Sequence, residues 1–207
     1  MTKVLIVYTS TFGNTKKMAE AVAVGAASVP DTQAELKVAE ATTIDDLRAC
    51  DALIVGSPVR QRSADSRVKQ FIDTVCEPLW IGDEMVGKVG AVFTVGGGYG
   101  NCGAGCELAQ LGLLGNLAAL GMILITLPKS TPGWAVAGLH WGPNGRSGGL
   151  GMEPTGVQDE MLEAAWHHGA NVARVTAALQ GQDLFARGNI APTQEVLAMF
   201  QASAPQK

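Results

Sequence analysis

The stretch Val4-Leu5-Ile6-Val7-Tyr8-Thr9-Ser10-Thr11-Phe12-Gly13-Asn14-Thr15 decides the fold. Five apolar residues run into a short hydroxyl-rich turn. A helical spacing follows at once, in Met18, Ala21, Val22 and Ala26. This is a strand, a turn and a helix N-terminus. The unpaired N–H groups and positive end of a helix attract a phosphate. Ser10, Thr11, Asn14 and Thr15 add side-chain donors, and no Lys or Arg lies inside the turn. A dianion held mainly by neutral donors is the phosphate of a bound cofactor, not one being transferred. The turn has neither the Gly-Lys-Ser/Thr of a nucleotide-hydrolysing loop nor the three-glycine dinucleotide fingerprint. The plain alternative is an ordinary strand-to-helix turn with a capping residue. The strand–loop–helix context favours the phosphate.

Outward from that stretch, strand and helix alternate. Strands are predicted at Lys3–Tyr8, Glu35–Ala39, Ala52–Gly56, Val89–Val95 and Met122–Leu127. Helices are predicted near Thr15–Ala27, Ile44–Ala49, Ser66–Val75, Gly105–Ala119 and Val157–Gln180. Four of the strands are nearly continuous in apolar residues, as in a parallel sheet covered on both faces. Right-handed crossovers then give an α/β fold, a three-layer αβα sandwich. Its five-stranded parallel sheet has the order 2-1-3-4-5. Residues 1–180 form this domain. Residues 181–207 are a tail with one short helix predicted at Thr193–Ala202. Lys129–Thr155, rich in Gly and Pro, is predicted as a long functional loop or lid.

The composition excludes several classes. The chain has 207 residues, 47% hydrophobic and 16% charged, which suits one well-filled core. A net charge of −4 and a pI near 5.3 argue against nucleic acid as a partner. Four cysteines do not make a disulfide framework, and a reducing cytoplasm is the expected setting. Leu108–Pro128 carries no charge and is long enough to span a bilayer. Gly112, Gly115 and Gly121 interrupt it, and no basic cluster flanks it. A buried helix, a Gly121 stop and a buried strand fit better, so no membrane span is expected.

In an open parallel sheet, ligands bind beyond the carboxyl ends of the strands. Three loops should meet there: Ser10–Thr15, Gly56–Arg62 and Gly96–Asn101. Glycines in the third let backbone N–H groups approach a flat ring closely. Gly98–Gly103 matches G-x-G-x-x-G, but it follows the fourth strand and lacks the distant acidic residue of a Rossmann site. Cys102 and Cys106 supply half of a zinc site with no partner nearby, so they read as packing residues and no metal is expected. A redox role beside the third loop is the sharper alternative. His167 and His168 read as helix-packing residues. His140 is the one histidine placed to approach a substrate. Arg60 reads as an attractor of an anionic dinucleotide, or of negative charge on a reduced cofactor.

Several motifs together resemble the WrbA-type (tryptophan-repressor-binding-protein) family of flavodoxin-like quinone reductases. They are the Lys3–Tyr8 strand with Ser10-x-x-Gly13, then Gly56-Ser57-Pro58-Val59-Arg60, then Lys69-Gln70-Phe71-Ile72-Asp73. Leu79-Trp80, Gly87-Lys88-Val89, Gly121-Met122 and the Gly142–Gly149 region follow in order. The likeness spans roughly residues 1–180. It implies a flavodoxin-like fold, FMN as cofactor, and NADH or NADPH as hydride donor. It also implies a quinone-like acceptor and a homodimer or homotetramer. By matching position, Ser10, Thr11, Phe12, Gly13, Asn14 and Thr15 would hold the FMN phosphate. Pro58, Val59, Arg60 and Gln61 would border the flavin ring. Thr94, Val95, Gly96, Gly97 and Gly100 would line its other side. Trp80 matches a tryptophan that reaches the pocket of a neighbouring subunit. The family often carries a histidine just before the Gly-Met pair; here Ala119-Leu120 stand there.

The resulting expectation is an FMN-dependent NAD(P)H:quinone oxidoreductase. Flavin N5 would carry the chemistry, with Arg60 and His140 as candidate side-chain participants. Two other readings compete with it. One is a one-electron carrier of the flavodoxin type. The other is a non-enzymatic flavin- or partner-binding protein.

Overall fold

The computed structural model describes residues 1–186 and 192–203. Its chain order is β1 (Thr2–Tyr8), α1 (Asn14–Ala27), β2 (Thr32–Val38), α2 (Ile44–Ala49) and β3 (Ala52–Arg60). β4 (Ser63–Ala64), α3 (Ser66–Phe71), α4 (Glu77–Ile81), β5 (Val89–Gly96) and α5 (Cys106–Ala119) follow. The chain goes on through β6 (Ile123–Leu124), α6 (Trp134–Ala137), β7 (Gly138–Leu139), β8 (Gly142–Arg146), α7 (Asp159–Leu179) and α8 (Gln194–Ser203).

The sheet has the order β2-β1-β3-β5-β8-β7, and its central pairs are parallel. β1 shows why both faces are covered. Val4, Ile6 and Tyr8 pack with Met18 and Val22 of α1 and with Ala164 and Ala165 of α7. Leu5 and Val7, pointing the other way, pack with Leu47, Phe71 and Leu113. A strand apolar at every position from Val4 to Tyr8 needs two layers of helices, and it has them. The carboxyl ends of β1, β3 and β5 therefore share one rim.

The fifth position of the sheet differs from the sequence reading, which gave it to Met122–Leu127. It is built from two pieces. β6 pairs only with Val89 and Gly90 at the start of β5. β8 pairs with Thr94–Gly96 at its end. Gly142-Pro143-Asn144-Gly145 has little strand propensity, and tertiary packing overrides it. A Cβ on Gly142 would stand 2.2 Å from the Val92 carbonyl oxygen. The two glycines let β8 approach surfaces that a side chain would block. Gln110, buried in α5, secures the junction. Its amide N–H groups reach Thr94 Oγ1 at 3.1 Å and the Pro143 carbonyl at 2.9 Å. Lys129–Thr155 is accordingly no free lid; α6, β7 and β8 lie within it.

The helix predicted at Ser66–Val75 also continues further. A widened π turn at Ile72–Cys76 links α3 to α4. Pro78, near the start of α4, cannot donate to the preceding turn, and the π turn absorbs the missing bond. In the tail, helix α8 overlaps the predicted one; residues 187–191 and 204–207 lie outside the described residues. No helix among the described residues is long and apolar enough to cross a membrane.

Candidate functional site

The first loop is shaped by Gly13, which caps α1 at φ +83° in the left-handed region that glycine tolerates. Its N–H donates to Ser10 Oγ at 3.1 Å. The first in-helix bond of α1 comes from the Lys17 N–H to the Gly13 carbonyl, at 3.0 Å. The N–H groups of Asn14, Thr15 and Lys16 thus have no carbonyl in their own helix to donate to. No side chain caps α1 and no acidic residue stands in its first turn. Dipole and donors point out at the rim, with no carboxylate already there.

The second loop is a hairpin, which the sequence reading did not foresee. β3 runs on to Arg60, and β4 folds back so that Val59 pairs with Ala64 and Arg60 with Ser63. Gln61 and Arg62 form the turn, both with positive φ (49° and 68°), as a tight two-residue hairpin requires. Beyond it lies Asp65, 4% exposed. Its carboxylate caps α3 by accepting the Arg67 N–H at 3.1 Å. It also accepts from Arg67 Nε at 2.9 Å and Arg60 Nε at 3.2 Å. These bonds, chiefly those from Arg67, hold the Asp65 carboxyl down to about 2, so it stays ionised at any ordinary pH.

The two arginines then reach across to the first loop. Arg60 Nη2 donates to Thr11 Oγ1 at 2.7 Å, and Arg67 Nη2 to the same oxygen at 3.0 Å. The loop itself contains no basic residue. Thr11 carries two guanidinium groups that come from another part of the chain. Arg67 gave no signal of its own, because it is an ordinary second residue of α3 and far from the loop in sequence.

The third loop is stitched to the segment after β8. The Ser147 N–H donates to the Gly96 carbonyl at 3.1 Å, and the Gly100 N–H to the Gly149 carbonyl at 3.0 Å. The Tyr99 ring lies against the backbones of Gly97 and Gly148, where any Cβ would strike it.

A cavity of about 160 Å³ opens between these loops. Ser10, Thr11, Phe12, Asn14 and Thr15 line it from the first, and Pro58, Val59 and Arg60 from the second. Val95, Gly96, Gly97 and Tyr99 line it from the third, and Ser147 completes the wall. Of the other sequence candidates, Gly13 shapes the first loop and Gly100 the third. Gln61 stands exposed in the hairpin turn. Thr94 is fully buried and turned toward Gln110. Cys106 is buried beneath Gly96, which pushes its thiol up; Cys102 is exposed. His140 is not brought to this cavity. It is exposed at the β7–β8 turn, with its ring 5.7 Å from that of Trp134. Trp80 is 53% exposed and lines a separate cavity of about 290 Å³ between α4 and α5. Ser147 was missed, and reading Gly142–Arg146 as a strand would have found it.

Comparison with known proteins gives this rim a context. Residues 5–97 match the model of a flavodoxin domain. The chain is 32% identical over 207 residues to an NAD(P)H dehydrogenase (quinone) of Cupriavidus metallidurans, covering 87% of this chain and 100% of that one. It belongs to the family of NAD(P)H dehydrogenases (quinone). A family member from Paraburkholderia phymatum is 33% identical over 205 residues, with the same coverage of both chains. A flavodoxin of Aquifex aeolicus is 39% identical over 124 residues, 60% of this chain and 64% of that one. Among solved structures, a WrbA-like flavodoxin from Agrobacterium tumefaciens superposes with a TM-score of 0.67 at 24% identity. That match covers 86% of this chain and 99% of the other.

Proposed function

We propose that the protein is an FMN-dependent oxidoreductase that takes hydride from NADH or NADPH and delivers two electrons to a quinone or a similar acceptor. One observation carries the reading: an uncapped, acid-free helix start opens onto a cleft built from the ends of three parallel strands. The donor set suits FMN. Ser10, Asn14, Thr15 and the free N–H groups of α1 offer a phosphate several donors and no carboxylate. Pro58 and Val59 offer an apolar wall, and Gly96 and Gly97 a backbone edge with no side chain in the way. FMN held there supplies the hydride-accepting ring and the two-electron chemistry. Backbone N–H groups of the third loop would supply donors to negative charge on the ring. Arg60 adds a positive charge at the mouth and draws in an anionic donor. Trp80 is left to complete the pocket of a second copy in a homodimer or homotetramer.

Purified protein should be yellow, and anaerobic NADPH or NADH should bleach the flavin band. Benzoquinone should then restore it and sustain turnover. A flavin that nicotinamide does not bleach, but that dithionite takes to a stable one-electron form, would replace this reading with that of an electron carrier. A protein that stays colourless in excess FMN would end both.

A further inference from the structure

Arg60 and Arg67 are more than supports for the first loop. Ser10 and the buried Thr15 face the start of α1, with the Ser10 hydroxyl already bound to the Gly13 N–H. Thr11 is exposed, and its oxygen is where the two arginines meet. Arg60 lines the mouth of the cavity and Arg67 stands beyond its lining, so the guanidinium pair sits at the edge of the ring of donors around the helix start. Two cations placed this close repel one another, and Asp65 holds them there. That carboxylate is buried and accepts from the Nε of each and from Arg67 Nη2 at 3.1 Å, while the Nη2 of each fork also donates to the exposed Thr11. Among the described residues the one other carboxylate in contact is Glu40, 3.5 Å from Arg67 Nη1 and half exposed, a pairing that water screens. Both Nη2 atoms reach one hydroxyl oxygen, so both can reach one phosphate. Beside them stands Phe12, 81% exposed, with the Arg60 guanidinium carbon 5.9 Å from its ring centroid. An exposed aromatic face next to a two-arginine fork matches a purine base with a phosphate close to it.

We propose that Arg60, Arg67 and Phe12 form a second phosphate site that takes the adenosine 2′-phosphate of the reduced donor and so favours NADPH over NADH. The inference rests on the function proposed above. A phosphomonoester is a dianion and calls for two guanidinium groups. A pyrophosphate spreads single charges along a chain and does not need two forks on one point.

The test uses the FMN-loaded protein and two redox-inert probes, adenosine 2′,5′-bisphosphate and 5′-AMP, with dissociation constants measured by calorimetry. The bisphosphate should bind about tenfold or more tightly than AMP, and R67Q should abolish most of that difference. The comparison within the parent protein stands even if R67Q folds poorly. Equal binding of the two probes to the parent overturns the site. So does R67Q that weakens FMN but leaves the ratio of the probes unchanged, because the pair then serves the flavin phosphate alone. Probe binding requires no hydride transfer. A protein that prefers the bisphosphate but is never bleached keeps this site and loses the proposed function. One bleached by both donors but indifferent to the bisphosphate keeps the function and loses the site.

Discussion

Replacing Gly13 by Ala isolates the backbone contribution to flavin binding. A Cβ at Gly13 would meet nothing within 4 Å, so the substitution introduces no clash. The cost is conformational: at φ +83° an L-residue is about 1–2 kcal/mol worse than glycine. The chain can respond in two ways. It can keep the loop, held by the Gly13 N–H on Ser10 Oγ and by the Lys17 N–H on the Gly13 carbonyl. The flavin-free protein then loses the full ~1–2 kcal/mol of stability and binds FMN as before. Or it can release the loop, keep its stability, and bind FMN about 5–30-fold more weakly. Each holding bond is worth only ~1 kcal/mol, about the size of the penalty, so the cost should divide between the two. Their sum is fixed by a thermodynamic cycle. Urea unfolding without flavin gives one part, and fluorescence titration with FMN gives the other. A total below ~0.5 kcal/mol would mean that the left-handed Gly13 is not required for the flavin-bound loop.

Two further perturbations address the scaffold. His168 lies fully buried in α7, and burial pulls it down to about 4 from 6.5, opposed only in part by the Val92 backbone. The unfolded chain binds that proton first, so stability is lost as pH falls from the unfolded value toward the folded one. From ~pH 7 to ~pH 5 the loss is about 2 kcal/mol. Urea unfolding of H168L should lack that increment, and an equal loss in both proteins would place the effect elsewhere. Gly142→Ala sets a methyl 2.2 Å from the Val92 carbonyl oxygen and should cost about 3 kcal/mol or more. Gly112→Ala, in open space on α5, should instead stabilise by ~0.5–1 kcal/mol. Thermal unfolding of the two variants should therefore shift in opposite directions. A Gly112→Ala that destabilises would show that this face of α5 is covered in solution.

Much of this was legible from the chain because the informative features are local. β1, the turn to α1, α2 and α5 announce themselves by apolar runs, spacing and stop signals within one window of sequence. The topology follows, since strand–helix alternation leaves few arrangements. What escaped depends on distant contacts. Gly142–Arg146 is a strand because β5, Gln110 and Val157 accept it, and nothing in its own composition says so. The Gln61-Arg62 turn adopts positive φ without glycine or asparagine, so the hairpin has none of the usual residues to mark it. Arg67 looks like any exposed helical arginine until Asp65 and Thr11 are seen beside it.

The separation of charge across the rim bears on how one site could hold one molecule and exchange another. Backbone N–H groups at the start of α1 belong to a helix packed against α7 and the sheet, and they cannot move away without unfolding it. Such donors need no side-chain ordering when an anion binds, which favours slow release and suits a resident cofactor. Arg60 and Arg67 are partly exposed, 47% and 34%, and are long side chains anchored on Asp65. They act from a distance in solvent and lose side-chain freedom when they close on a phosphate, which speeds encounter and limits affinity. A donor that must leave before the acceptor can enter needs that second kind of grip. Had the arginines been inside the loop and the neutral donors outside it, the same residues would have opposed this division of roles.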